Sequence, residues 1–190
     1  MPELPDIVVL ANSMNKALQG KVIAEVTINQ PKCLNVPPGG LDAHPQISQT
    51  GQEPLAENFT VERLADMLSG KSGRIKTCLL DQKFIAGIGN VYVQDILWYA
   101  RLHPLRKANT LTRADIERLH GGIQRALQEG INSGGGPGEQ DVWGNKGTYM
   151  QNRPIGYRTG EPCPACGATI EELRTGQTTS YICPKCQPAP

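Results

Sequence analysis

The sequence predicts a mainly α-helical protein with a small β component. Three observations lead there. Apolar residues recur at helical spacing in several separate windows of the 190-residue chain. Strand-like alternation is confined to two short places. The chain also closes on Cys163-x2-Cys166 and, sixteen residues later, Cys183-x2-Cys186. Two such hooks at that separation place four thiolates around one tetrahedral Zn²⁺. With every position filled by protein, no water can be bound and polarised, so the zinc is expected to be structural. Pro162, Pro164, Gly167 and Pro184 supply turn chemistry around the hooks. Between them, residues 168–170 and 180–182 read as two strands of a hairpin with Thr175-Gly-Gln at its tip. A pair of disulfides is the other chemistry open to four cysteines. Neither a signal peptide nor a transmembrane run is read in the chain, which argues for a reducing, cytoplasmic compartment and no membrane partner. Cys33 and Cys78 have no CxxC partner and are read as free thiols, Cys78 buried beside Leu79 and Leu80.

The elements follow in order. Residues 5–18 form an amphipathic helix, with Ile7, Leu10, Met14 and Leu18 on one face and prolines only at its start. Gly20 ends it. Residues 22–28 alternate apolar and polar and read as a strand. Residues 29–54 lose periodicity in Pro31, Pro37-Pro-Gly-Gly40, Pro45 and Pro54, and read as a linker. Thr60 opens a helix to Leu68, and a second, short helix ends at Leu80. Residues 82–89 are a turn region, and Asn90 is expected to cap a helix running to Ala100. Thr112 starts a longer helix to about Gly130, with Leu119, Ile123 and Leu127 on one face. Irregular chain from Gly134 then leads to the hairpin. A stripe at Ile7, Leu10, Met14 and Leu18 is expected to pack on the helical domain rather than face water.

Charge is uneven. Residues 1–70 carry four Lys/Arg against eight Asp/Glu, residues 71–125 ten against four, and residues 126–190 five against six. The net charge of +1 therefore averages a basic middle with acidic flanks. A basic segment of this kind fits either a phosphate backbone or a solvated helical face. Within it, Gly87-Ile-Gly89-Asn90 places backbone amides at a helix entrance. That is an anion site where a DNA phosphate fits, or simply a capped turn before a buried helix.

Taken together, Met1-Pro-Glu-Leu-Pro-Asp6, Gly87-Ile-Gly-Asn90, Leu102-His-Pro-Leu-Arg106 and the paired CxxC hooks resemble the formamidopyrimidine-DNA glycosylase / endonuclease VIII family. Glu53-Pro-Leu, Gly144-x-x-Gly-x-Tyr149 and Gly160-Glu-Pro-Cys163 extend the likeness, which covers residues 1–28 and 51–187. The resemblance implies a β-sandwich beginning at Pro-Glu-Leu-Pro, then a helix–two-turns–helix domain, then a zinc finger. It implies Pro2, once Met1 is removed, as an amine nucleophile that forms a Schiff base at the deoxyribose C1′. Glu3 would be the adjacent acid/base. It also implies double-stranded DNA with a lesion or abasic site as partner to a monomer. Asn90, Gly89, Lys71, Lys76 and Arg106 are assigned to DNA, and Cys163, Cys166, Cys183 and Cys186 to one Zn²⁺. Taken alone, Pro2-Glu3 is an ordinary helix start.

The likeness has gaps. Only one helix and one strand stand where the family has a sandwich, so residues 1–28 are read as its remnant, and Pro37-Pro-Gly-Gly40 as a linker or the seam of an internal deletion. Residues 55–138 are assigned to the helix–two-turns–helix domain, 139–160 to a connecting loop and 161–187 to the finger. The family's lysine used in base removal has no counterpart. Thr178 stands where the family's finger offers an arginine, and Val8 where it often has a second glutamate. The expectation is a base-excision-repair glycosylase and abasic-site lyase relative that binds damaged DNA, with base excision reduced or lost. The alternative is a non-catalytic module for nucleic acid, ribosome or protein.

Overall fold

The protein is described by a computed structural model covering residues 3–22, 24, 50–136, 138 and 140–190. Pro2, Cys33, the Pro37-Pro-Gly-Gly40 segment and nearly all of the expected strand at 22–28 lie outside these residues. The helices are α1 (Leu4–Leu18), α2 (Val61–Ser69), α3 (Ile75–Leu80), α4 (Tyr92–Tyr99), α5 (Arg113–Asn132) and α6 (Tyr149–Asn152), with a 3-10 turn at Ala108–Thr110. Strands β1 (Glu171–Thr175) and β2 (Thr178–Ile182) pair antiparallel, Leu173 opposite Ser180. The hairpin tip matches the expectation, but its first strand starts later. Residues 168–170 belong to the knuckle instead, where Thr169 bridges to Pro162. The short α6 inside the stretch read as irregular was not foreseen. No described helix is long and apolar enough to cross a membrane.

Local chemistry explains the helix starts. Thr60 Oγ1 accepts the Arg63 N–H at 3.1 Å, and Thr112 exchanges bonds with Asp115 in a capping box. Helices α4 and α5 cross at the centre, burying Val93, Ile96, Leu119 and Ile123 completely. A glycine is needed at their contact, because a Cβ on Gly130 would lie 2.4 Å from the Tyr92 ring. Helices α3 and α4 are joined by two turns. The Asp81 carbonyl accepts from Phe84 and Ile85 in the first, while Gln82 accepts from the Gly87 amide and donates to the Ile88 carbonyl, both at 2.8 Å, in the second. This ordered unit begins before the expected boundary at 55. Gln52 pairs with Ile85, and the Gly51 N–H donates to the Gln82 carbonyl at 2.8 Å.

Helix α1 docks on the helical domain, but through the face opposite to the one expected. Asp6 Oδ1 accepts the Gly136 N–H at 2.7 Å, and Ser13 Oγ accepts the Val142 N–H at 3.3 Å, with Pro5 and Ser13 buried. Ile7, Leu10, Met14 and Leu18 remain 38–48% exposed. Short polar side chains win that face because the Gly136 and Val142 amides meet them there, and water would otherwise have to satisfy those donors. Leu10→Lys is therefore expected to change unfolding free energy by less than about 0.5 kcal/mol. Asp6→Ala should cost about 1–3 kcal/mol, since it strands the Gly136 amide. Denaturant titration of both variants checks the reversal.

Candidate nucleic-acid interface and zinc centre

The four cysteine sulfurs gather within 4.8 Å of one another. Cys163 and Cys186 are 3.9 Å apart, Cys166 and Cys183 3.4 Å, and Cys166 and Cys186 3.5 Å. A tetrahedron with Zn–S near 2.3 Å has edges of about 3.8 Å, so the donor set fits one Zn²⁺ with no open position. All four are free thiols, which removes the disulfide alternative. Cys78 is likewise free and buried, as expected.

The finger is keyed to the helical domain by polar side chains. Lys76, expected to face DNA, is 2% exposed and instead enters the hairpin. Its Nζ donates to the Thr179 carbonyl at 2.7 Å, Ser180 Oγ at 2.9 Å and Thr175 Oγ1 at 3.3 Å. Three donors meet three neutral acceptors, and no carboxylate is among them. Gln94 works alongside: its Nε2 donates to the Thr179 carbonyl and its Oε1 accepts the Tyr181 N–H. Burial lowers the Lys76 amine to about 8. Between that value and the ordinary lysine value near 10.4, the unfolded chain binds more protons than the folded one, so stability should rise with pH across this window. Subtracting the pH–stability profile of Lys76→Met from that of the native protein should isolate this rise; parallel profiles would contradict the assignment.

The two-turn loop carries the second cluster. The amides of Gly89, Val91 and Tyr92 donate to the Glu3 carboxylate at 2.9, 3.0 and 3.3 Å. The anion at the entrance of α4 is thus a side chain of the same molecule. Gly89, assigned to a DNA phosphate through its amide, spends that amide on Glu3. Glycine is required here for closeness, since a Cβ on Gly89 would lie 2.4 Å from Glu3 Cδ, and one on Gly87 2.6 Å from Leu4 Cβ. Burial raises the Glu3 carboxyl above its usual value, against the pull of the three amides. Asn90 does not cap α4, which begins after Val91. Its Oδ1 accepts from Gln94 at 3.1 Å and its Nδ2 reaches the Tyr157 hydroxyl at 3.3 Å.

Tyr157 is a residue the sequence reading missed. It is 39% exposed, holds a left-handed φ of 59° and packs with its ring 4.8 Å from the Tyr181 ring, tilted by 37°. A non-glycine residue persists there only when its surroundings enforce it. Arg153 does so by donating to the Gly156 and Tyr157 carbonyls. Beneath them, the fully buried Asp95 accepts from the Tyr149 hydroxyl at 2.7 Å and from the Ile155 and Gly156 amides. Only the Pro154-Ile-Gly-Tyr run hinted at a turn, and nothing periodic marked it. On the basic side, Lys71 lies 5.0 Å above the Phe84 ring. Arg106 is held by Thr110 and Asp115, and a bridge between Arg74 and Lys107 brings those exposed cations together.

Comparison with known proteins bears on this arrangement. Residues 50–140 match the model of the formamidopyrimidine-DNA glycosylase H2TH domain, and residues 160–189 that of the zinc finger found in FPG and IleRS. The formamidopyrimidine-DNA glycosylase of Symbiobacterium thermophilum is 41% identical over 155 residues, spanning 80% of this chain and 51% of that protein. That of Roseiflexus sp. is 45% identical over 139 residues, 72% of this chain and 51% of the relative. The chain belongs to the formamidopyrimidine-DNA glycosylase family. Among solved structures, the Lactococcus lactis Fpg bound to abasic-site DNA superposes with a TM-score of 0.69 at 33% identity, over 74% of this chain and 52% of that one. The MutM (Fpg) protein of Thermus thermophilus gives 0.71 at 32%, over 76% and 56%. This family member spans about half the length of the curated relatives it matches.

Proposed function

We propose that the chain is a cytoplasmic, monomeric member of the formamidopyrimidine-DNA glycosylase family that binds duplex DNA at an abasic site or lesion, with base excision reduced or lost and only weak abasic-site lyase activity. The observation that carries this reading is the Glu3 carboxylate seated on the same two-turn loop that presents Asn90. Asn90, Tyr157, Lys71 and Arg106 are read as phosphate contacts: Asn90 and Tyr157 bring polar groups together beside the two-turn loop, and Lys71 and Arg106 are half-exposed cations of the basic segment. If Met1 is removed, the Pro2 amine can add to C1′ of the open-chain sugar and release water as the iminium forms. Glu3, with its raised carboxyl, can exchange the proton that step requires. Reduced base excision rests on what is missing around it. No lysine aligns with the family's base-removal lysine. Thr178 donates its hydroxyl to the Thr175 carbonyl and carries no charge for a phosphate.

Borohydride trapping on abasic-site duplex tests the reading, alongside binding measured at several salt concentrations. A faint covalent adduct, with log K falling linearly against log salt, is expected. Salt-independent binding would remove the phosphate contacts, and efficient excision of 8-oxoguanine would remove the proposed loss of activity.

A further inference from the structure

Trp98 of α4 holds a buried Nε1–H that makes no conventional hydrogen bond. An orphaned buried donor costs about 1–3 kcal/mol, and such groups in folded proteins usually mark a partner not yet counted. The same indole packs against the cluster formed by Ile155, Cys163, Ile170, Cys183 and Cys186, where the cysteine sulfurs are the side-chain acceptors. A neutral thiol sulfur is a weak acceptor. A metal-bound thiolate carries negative charge and is a far better one. The orphan and the metal site therefore explain each other.

We propose that the Trp98 indole N–H donates a hydrogen bond to the zinc-bound thiolate of Cys163, making the helical domain a supplier of the finger's outer coordination shell. Trp98 is then a positioning residue. By drawing charge from one sulfur, it stabilises the tetra-thiolate centre, whose four negative charges exceed the two of the metal. It also makes metal loading and docking of the finger on α4 mutually dependent: the finger without zinc leaves the indole unpaired, and a displaced finger leaves the thiolate without its donor. Lys76 and Gln94, by contrast, meet the finger at hairpin backbone and hydroxyl groups, not at the cysteines. The inference rests on the zinc site and is independent of any DNA chemistry.

Outer-shell partners of metal ligands are typically worth ten- to a hundred-fold in metal affinity. Trp98→Phe keeps an aromatic ring and deletes only the indole with its N–H. Chelator-driven zinc release from this variant is expected to be about ten-fold faster than from the native protein. An unchanged release rate would overturn the proposal. A packing defect alone could also speed release, so the deciding measurement uses the unsubstituted protein loaded with an NMR-active cadmium isotope. A scalar coupling between the metal and the Trp98 indole proton is expected across the N–H···S bond. The chain's other tryptophan, Trp143, is 58% exposed and should show none. Absence of the coupling at an assigned Trp98 resonance would overturn the proposal whatever the variant does.

Discussion

Cys183→Ser is expected to release the zinc and unfold residues 160–187 while the helical domain stays folded. The finger's own core is too small to stand without metal: within residues 160–187 the buried apolar side chains beyond the cysteines are Ile170 and Ile182, and Ile155 packs on the cluster from the preceding loop. In small domains of this kind, zinc binding supplies the folding free energy, on the order of 10 kcal/mol. The helical domain has a separate core running through Leu64, Leu79, Ile96 and Leu119. Its side of the junction sets the Trp98 indole beside the polar Lys76 and Gln94, which can rehydrate once the hairpin leaves. Metal analysis should return no zinc, and amide exchange should lose protection across β1 and β2 but keep it in α5. Loss of protection in α5 would show that the two units fold as one.

How much of this was legible depended on whether a feature is local. The CxxC hooks could be read outright, because four thiolates at that spacing have few other uses. Helices α2 and α5 were legible from their caps and apolar faces. Helix α1 was legible as a helix but not in its docking. Periodicity identifies an apolar stripe, yet the partner surface here is a loop with free amides, and Asp6 and Ser13 answer it better than Leu10 does. Lys76 illustrates the same limit. Its charge placed it in a basic window, whereas its burial depends on a hairpin about a hundred residues further along the chain. The role of Gly87-Ile-Gly89 was half legible. The need for glycines at an anion site is written in the motif. That the anion is Glu3 is a long-range contact that no local pattern encodes. Tyr157 was invisible because its position comes from a strained turn held by Arg153 and Asp95.

Gly89→Ala tests that long-range contact. Gly89 does not occupy the left-handed region, so alanine is conformationally permitted and the whole effect must come from its Cβ. That atom would sit 2.4 Å from Glu3 Cδ and 2.5 Å from Oε1. Rotating the Glu3 side chain away relieves the overlap only by breaking its bonds to Gly89, Val91 and Tyr92. Hydrogen bonds to a charged group are each worth about 1.5–3 kcal/mol, so the seat should be lost and the start of α1 released from the loop. Asn90, Tyr157 and the cations are not displaced by this change, and affinity for abasic-site duplex should stay within about three-fold of native. Covalent trapping should fall by about a hundred-fold, the usual worth of a positioned acid/base. Glu3→Gln, which preserves the shape of the side chain and removes its charge, should lose trapping to a similar degree while leaving α1 docked. Native-level trapping in Gly89→Ala would mean that the Glu3 seat serves only to anchor the helix, and the acid/base assignment would fall with it.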